Sequence, residues 1–172
     1  MFKETYPVSK VTVSSALSSD YHLRTTIYRF DARDDERYLI YLKEYPEKFH
    51  TVDFCRNKAK NSRHRFTELT SKRDAIRILS TVVGLMIRLL VAGRADAVCF
   101  GFIGARMREE NDEASSKRFR VYRQIMLNLI DANEFHHLEA PKRDAYLIIN
   151  RKANAQKVVA VAKKAFEKDE EE

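Results

Sequence analysis

The chain has 172 residues, of which 44% are apolar and 33% are charged, with four glycines and three prolines. This composition is typical of one globular domain, and it excludes collagen-like, linker-like and disulfide-scaffold proteins. The 32 Lys and Arg residues exceed the 25 Asp and Glu residues, and the resulting net charge of +7 favours an acidic or polyanionic partner.

Short runs of β-branched and aromatic residues, separated by polar breaks, fill the first third of the chain and predict an antiparallel meander. The predicted strands cover residues 21–30, 37–45 and 49–55, after an earlier strand at 8–13. Residues 38–42 are apolar on both alternating faces, which indicates a central strand covered on both sides.

A long apolar run then predicts a mostly buried helix. It follows a capping box formed by Ser71 and Asp74, reaches Ala92 and stops at Gly93. A narrow polar stripe runs along this helix and comprises Arg73, Arg77, Thr81, Gly84 and Arg88. An inner strand follows at residues 96–105, and a right-handed crossover would let it run parallel to its neighbour.

The last third predicts a second amphipathic helix, a hairpin and a terminal helix. The second helix begins at Lys117 behind a serine cap, the hairpin strands lie at 135–139 and 145–150, and the last helix starts near residue 153. We therefore predict a single α+β domain over residues 1–166, followed by a frayed acidic tail at 167–172. Its mostly antiparallel, twisted sheet carries two main helices and the C-terminal helix.

Residues 56–74, called the basic segment below, contain seven cationic and two acidic side chains and so carry +5 of the total charge. Its cations can neutralise phosphates, and its aromatic and imidazole rings can stack on bases. The candidate contact residues are Arg56, Lys58, Lys60, Arg63, His64, Arg65, Phe66 and Lys72. A solvated loop without a ligand is the alternative, and no RNA-recognition consensus, zinc-finger spacing or helix-turn-helix pattern accompanies the segment.

A second cationic cluster precedes and opens the second helix: Arg106, Lys117, Arg118, Arg120 and Arg123. Cations at a helix N-terminus are unfavourable unless an anion lies nearby, because the helix dipole is already positive there. Two explanations stay open. The acidic residues of the loop at 109–113 could neutralise the cluster, or the arginines could form an anion site beside Gly101 and Gly104.

Motifs of enzymes and metal sites are missing from the sequence. We find no nucleophile elbow, P-loop or zinc-protease motif, so no catalytic residue, metal or cofactor is expected. His136 and His137 are adjacent and would point to opposite faces of a strand, and Cys55 and Cys99 should be buried, reduced thiols. No secretory signal or membrane-spanning run is evident, which predicts a cytoplasmic protein that does not contact membranes.

From Phe49 to Asn150 the predicted order is strand, long helix, strand, helix and hairpin. With the RxYR run at Arg120–Arg123 in the second helix, this order resembles the later part of GNAT-type N-acetyltransferases. Phage-encoded and mobile-element proteins contain a similar run of strand, polar loop and a helix that begins (K/R)RxxxY, as at Lys117–Tyr122. The resemblance implies a GNAT-like second half, an acyl-coenzyme A cleft beside the strand at 96–105, and Tyr122 at the place of the family's general acid. The loop that carries the family's phosphate-binding glycines has none here, which implies a degenerate member.

The sequence favours a non-enzymatic binding or assembly protein, and the resemblance implies a phage or mobile-element type that is found in the cytoplasm of a bacterial host cell or associated with a virion. It would contact nucleic acid or an acidic protein partner through the basic segment and the cationic cluster at 106–123. The alternatives are a GNAT-like acyltransferase and a structural subunit of a virion or complex whose basic face is an interface.

Overall fold

The computed structural model describes residues 4–17, 21–63, 65–66, 74–103 and 116–169, and within them it has the predicted α+β fold. One sheet contains the strands β1 (Ser9–Ser15), β2 (Arg24–Asp31), β3 (Arg37–Glu44), β4 (Phe49–Arg56), β5 (Cys99–Ile103), β6 (Phe135–Ala140) and β7 (Ala145–Asn150). The helices are α1 (Ala75–Ala92), α2 (Lys117–Leu129) and α3 (Ala155–Asp169).

The strands lie in the order β1-β2-β3-β4-β5-β7-β6, and every neighbouring pair is antiparallel except β4 and β5. The predicted meander is therefore confirmed for β1 to β4. The predicted parallel pair is confirmed too, because α1 carries the chain from the end of β4 back to the start of β5.

Apolar side chains cover both faces of the sheet. On the face called the α1/α2 face, those two helices pack against a core that includes Ile40, Phe100 and Ile148. On the opposite face, called the α3 face, α3 packs against a smaller cluster around Phe49 and Ile149. Successive residues of β4, β5 and β7 point to opposite faces of the sheet, and these strands contribute apolar side chains to both faces, as expected for strands covered on both sides.

The N-terminal segment docks on the polar stripe that the sequence predicts along α1. The Tyr6 amide donates a hydrogen bond to Thr81 Oγ1 (2.9 Å), and the Tyr6 hydroxyl donates one to Asp74 Oδ2 (2.6 Å). The Arg77 guanidinium lies 3.9 Å from the centroid of the Tyr6 ring. The part of the stripe at Arg77 and Thr81 is thus the docking surface, whereas Arg88 is exposed, and the segment fixes the end of α1 that follows the basic segment.

Local signals in the sequence set the ends of the helices. Gly93 ends α1 as predicted, and its amide donates to the Leu89 carbonyl (2.9 Å). The serine cap of α2 is also confirmed, because Ser116 Oγ accepts from the Phe119 amide (3.1 Å). The capping residue Ser71 lies outside the described residues.

Two predicted boundaries differ from those in the structure. The strand predicted from residue 96 begins at Cys99, because residues 94–96 form a 3₁₀ turn and Ala97 adopts a left-handed conformation (φ 57°); residues 104 and 105 lie outside the described residues. α3 continues to Asp169, so the first three residues of the predicted frayed tail, 167–169, are helical, while 170–172 are not described.

α1 has the length and composition of a membrane span, with a mean hydropathy of 2.0, and half of it is buried inside the protein. Core helices and spanning helices share these two properties. The predicted absence of membrane contact therefore stays a prediction. Cys55 and Cys99 are buried, as predicted, and neither is bonded in a disulfide within the described part of the chain.

We predict that Gly101→Ala destabilises the protein by about 1–3 kcal/mol, because overpacking a tight core forces neighbouring groups to shift. An added Cβ would lie 2.6 Å from Phe49 Cζ and 2.7 Å from Leu147 Cδ2. Gly84→Ala is the matched control. Its Cβ would meet only Thr5 Cγ2, at 3.6 Å, and alanine is favoured over glycine inside a helix by about 1 kcal/mol.

Urea unfolding of the two variants checks this prediction. Gly101→Ala should lower the free energy of unfolding and Gly84→Ala should raise it or leave it unchanged. Equal effects of both substitutions would contradict the close approach of the Phe49 ring to the backbone of β5.

Candidate anion-binding cleft

A cleft of about 740 Å³ lies where β4 and β5 diverge. The two strands pair only from Phe49 to Thr51 and from Cys99 to Gly101. Beyond these positions β4 remains paired with β3, and β5 remains paired with β7. Residues from the diverging parts of both strands line the cleft.

The basic segment and α3 form the walls of the cleft, and strand residues form its floor. The basic segment forms one wall with residues 60–63, Arg65 and Phe66, and α3 contributes Phe166. The floor includes Lys43, Thr51 and Asp53, whose positions in the register place them on the α3 face with Phe49. A loop that is strongly cationic in sequence therefore closes one side of a concave surface.

Cationic side chains dominate the charge of the cleft. Lys43, Lys60, Arg63 and Arg65 line it, against the single carboxylate of Asp53. The Lys60 ammonium and the Arg63 guanidinium make no ion pair with any residue that the structure describes. Positive charges that converge in a concave surface raise the local concentration of anions.

Arg65 is held in place by contacts within its own wall. Its Nη1 donates a hydrogen bond to the Lys60 carbonyl (3.0 Å). Its guanidinium lies 4.6 Å from the Phe66 ring centroid and 5.3 Å from that of Tyr41. Burial raises the pKa of Tyr41, and the Arg65 charge opposes part of this rise, so this phenol stays neutral beneath the cation.

Thr51 lies on the floor with a hydroxyl that lacks a partner. The residue is 3% exposed, and its Oγ1 makes no hydrogen bond with the described part of the chain. Buried hydroxyls are normally hydrogen-bonded, since an unpaired one costs about 1–3 kcal/mol. No sequence signal singles out this threonine, because it is one of several β-branched residues in a strand.

The structure brings together half of the candidate residues of the basic segment. Lys60, Arg63, Arg65 and Phe66 all line the cleft. Lys58 instead pairs with Glu36 (3.1 Å), and Arg56 is the last residue of β4, where its position in the register places it on the α1/α2 face. His64 and Lys72 lie outside the described residues.

The described members of the cationic cluster lie in different surroundings. Arg123 pairs with Glu139 of β6 (2.7 Å), and Lys117 and Arg120 are exposed on the helix surface. Arg106 lies outside the described residues, as does the acidic loop at 109–113 that could neutralise the cluster.

Arg118 has a position that the sequence did not predict. It is 7% exposed, its Nη1 donates to the Phe66 carbonyl (2.5 Å), and its guanidinium lies 4.8 Å from the Phe54 ring centroid. We expected this arginine to contact an anion. In the structure it ties the wall of the cleft to α2, so it acts as a positioning residue.

Tyr122, placed by the GNAT resemblance where that family has its general acid, is buried beneath β5. Its ring packs edge-on against Phe102, with 4.5 Å between the centroids. Burial raises its pKa; the Arg118 charge opposes this rise and the Asp53 charge adds to it. Tyr122 is not among the described residues that line the cleft.

His136 and His137 pair with Ile149 and Ile148, which lie on opposite faces of the sheet. The His137 ring lies between the Tyr146 hydroxyl (Nδ1, 2.6 Å) and the Ile130 carbonyl (Nε2, 3.2 Å). Since a carbonyl only accepts, Nε2 carries the proton and Nδ1 accepts from the tyrosine. Within the described ranges no three histidine, cysteine or carboxylate side chains are placed to share a metal ion.

Comparisons with protein-family models, with curated proteins and with solved structures gave no match. The functional argument therefore depends on the geometry and charge of the cleft.

We predict that Arg118→Ala lowers the free energy of unfolding by about 1.5–3 kcal/mol, the typical value of a hydrogen bond to a charged group. The substitution removes both the bond to the Phe66 carbonyl and the contact with the Phe54 ring. Arg120→Ala, an exposed change on the same helix, is the control and should have little effect. Thermal unfolding gives the stabilities, and amide hydrogen exchange at residues 60–66 reports the position of the wall. If amide hydrogen exchange is unchanged in Arg118→Ala, Arg118 does not position the wall.

Proposed function

We propose that this chain is a non-enzymatic protein that binds nucleic acid through the cleft at the divergence of β4 and β5. One observation carries the proposal: four cationic side chains converge on a single concave surface that also contains aromatic rings. Cations contact phosphates, and rings stack on bases, so this combination is typical of sites for single-stranded nucleic acid. A phage or mobile-element origin, in a host cell or a virion, is part of the same proposal.

Nucleic acid fits this surface better than an acidic protein does. Protein–protein interfaces generally cover about 800 Å² of surface on each partner. The cations of the cleft instead lie around a concavity of about 740 Å³, with Phe66 on one wall and Phe166 at the other. The alternatives are that the cleft contacts an acidic protein, or that the chain is a virion subunit with this face as an interface. The following experiment distinguishes these alternatives from nucleic-acid binding.

We expect binding of a fluorescent oligonucleotide that weakens as salt is added. If Lys60, Arg63 and Arg65 each contact one phosphate, the slope of log K against log salt is about −2, from about 0.7 per contact on a single strand. The double variant Lys60→Glu, Arg63→Glu should reduce affinity at low salt at least ~10-fold and flatten the slope by about 1.4. Fluorescence anisotropy measures both quantities.

Lys10→Glu is the matched control, because Lys10 is an exposed lysine on β1, at the far edge of the sheet. It should change neither affinity nor slope appreciably. Equal losses in both variants would mean that the whole surface charge, and not the cleft, attracts the oligonucleotide. If no oligonucleotide binds and an acidic polypeptide binds with the same salt dependence, the partner is a protein.

A GNAT-like acyltransferase, active or degenerate, is the second candidate. The cleft favours it in one respect, because it lies between β4 and β5, where the resemblance implies an acyl-coenzyme A site. The loop before α1 counts against activity, since it lacks the glycines that would let backbone amides approach a pyrophosphate.

Thermal unfolding with acetyl-coenzyme A at a concentration near 1 mM tests this candidate. A ligand present at about 100 times its Kd stabilises the folded state by about 2.7 kcal/mol, which raises Tm by several degrees. ADP is the control, because it carries the pyrophosphate without the pantetheine arm. A rise with acetyl-coenzyme A alone supports the candidate, and equal rises indicate only an anion site. No rise with either ligand rejects the acyl-coenzyme A site.

A further inference from the structure

Resting on the proposed function, we infer that the cleft receives one unpaired nucleotide of a single strand. Its phosphate would lie against Lys60 and Arg63, and its base would enter the cleft toward Thr51. The inference concerns the form of nucleic acid that is bound, which the cationic residues alone do not determine.

The size of the cleft limits what can enter. Its volume of about 740 Å³ lies within the range of roughly 300–1,000 Å³ that is usual for sites of a single small molecule. In a duplex, each base is stacked and paired, so its faces are covered unless the nucleotide is flipped out of the helix. A single strand offers its bases to the cleft without that cost.

The walls provide planar groups for a base. Phe66 and the Arg65 guanidinium lie together on the wall of the basic segment, and Phe166 lies at α3. Bases stack on aromatic rings and on arginine planes alike, and every base has a face that can do so. The site would therefore accept different bases and select for an unstacked one.

Thr51 provides a polar group at the depth a base would reach. Its hydroxyl is buried and has no partner among the described residues, and the residue lies at the last paired position before β4 and β5 separate. The oxygen is covered in the present rotamer, and rotation about χ1 by about 120° would place it where the methyl group now lies. A hydrogen-bonding edge of a base would satisfy this group, which the protein itself leaves unpaired.

The experiment compares three ligands of the same sequence, about 12 nucleotides long. The first is a single strand, the second carries abasic sites at its centre and the third is the duplex. Charge alone would favour the duplex, whose phosphates are denser and release more counterions. We expect the intact single strand to bind about 5- to 100-fold more tightly than either of the others, from the typical contribution of base stacking.

Thr51→Val tests the floor, because valine keeps the shape of threonine and removes the hydroxyl. It should weaken binding of the intact single strand by about 2- to 10-fold, the usual effect of one hydrogen bond. Binding of the abasic strand should not change. The variant should fold at least as stably as the parent, since it removes an unpaired buried hydroxyl.

The outcomes separate the inference from the proposed function. Salt-sensitive binding with equal affinity for all three ligands would overturn the single-nucleotide inference and leave nucleic-acid binding in place. An effect of Thr51→Val that is equal for intact and abasic strands would also overturn it. Absence of binding to every oligonucleotide would reject the proposed function, and the inference with it.

Discussion

The short parallel pairing of β4 with β5 is the constraint on which the rest of the molecule depends. Only three residue pairs join the two strands. A parallel connection requires a long crossover, and α1 supplies it across one face of the sheet. Because the strands separate after Thr51 and Gly101, the sheet opens at the end where the basic segment begins. The fold thus produces the concavity and places the most cationic part of the chain beside it.

The cationic side chains of the cleft repel each other, so other contacts must hold them close together. Repulsion among Lys60, Arg63 and Arg65 disfavours their convergence in the absence of an anion. Two hydrogen bonds oppose this repulsion. Arg118 donates one to the Phe66 carbonyl, and Arg65 donates one to the Lys60 carbonyl. The Lys60 carbonyl accepts the Arg65 bond, so this guanidinium is anchored without an ion pair to any residue that the structure describes. The anion that we propose for the cleft would relieve the repulsion among these cations.

Local signals explain why much of the fold could be predicted from the sequence. Gly93 stops α1, Ser116 caps α2, and the alternation of strand residues predicts the meander, because each feature depends on residues close in the chain. The site was harder to predict. Arg118 donates a hydrogen bond to Phe66, which lies 52 positions earlier in the chain. Lys58 does not line the cleft and instead pairs with Glu36, 22 positions earlier. Such contacts follow from tertiary packing, which residue types alone do not specify.

The positive charge of the cleft is carried by long side chains and not by backbone amides, and this difference affects which anions it can bind. A glycine-rich loop holds one pyrophosphate in a fixed position with backbone amides, but the segment between Arg56 and Asp74 contains no glycine. Its donors are the ends of long side chains at Lys60 and Arg63, which can follow phosphates at variable spacing. A polymer with many similar phosphates needs that adaptability, whereas a cofactor bound for catalysis needs fixed geometry. Flexible cations therefore suit the strand of nucleic acid that we propose better than a precisely held acyl donor.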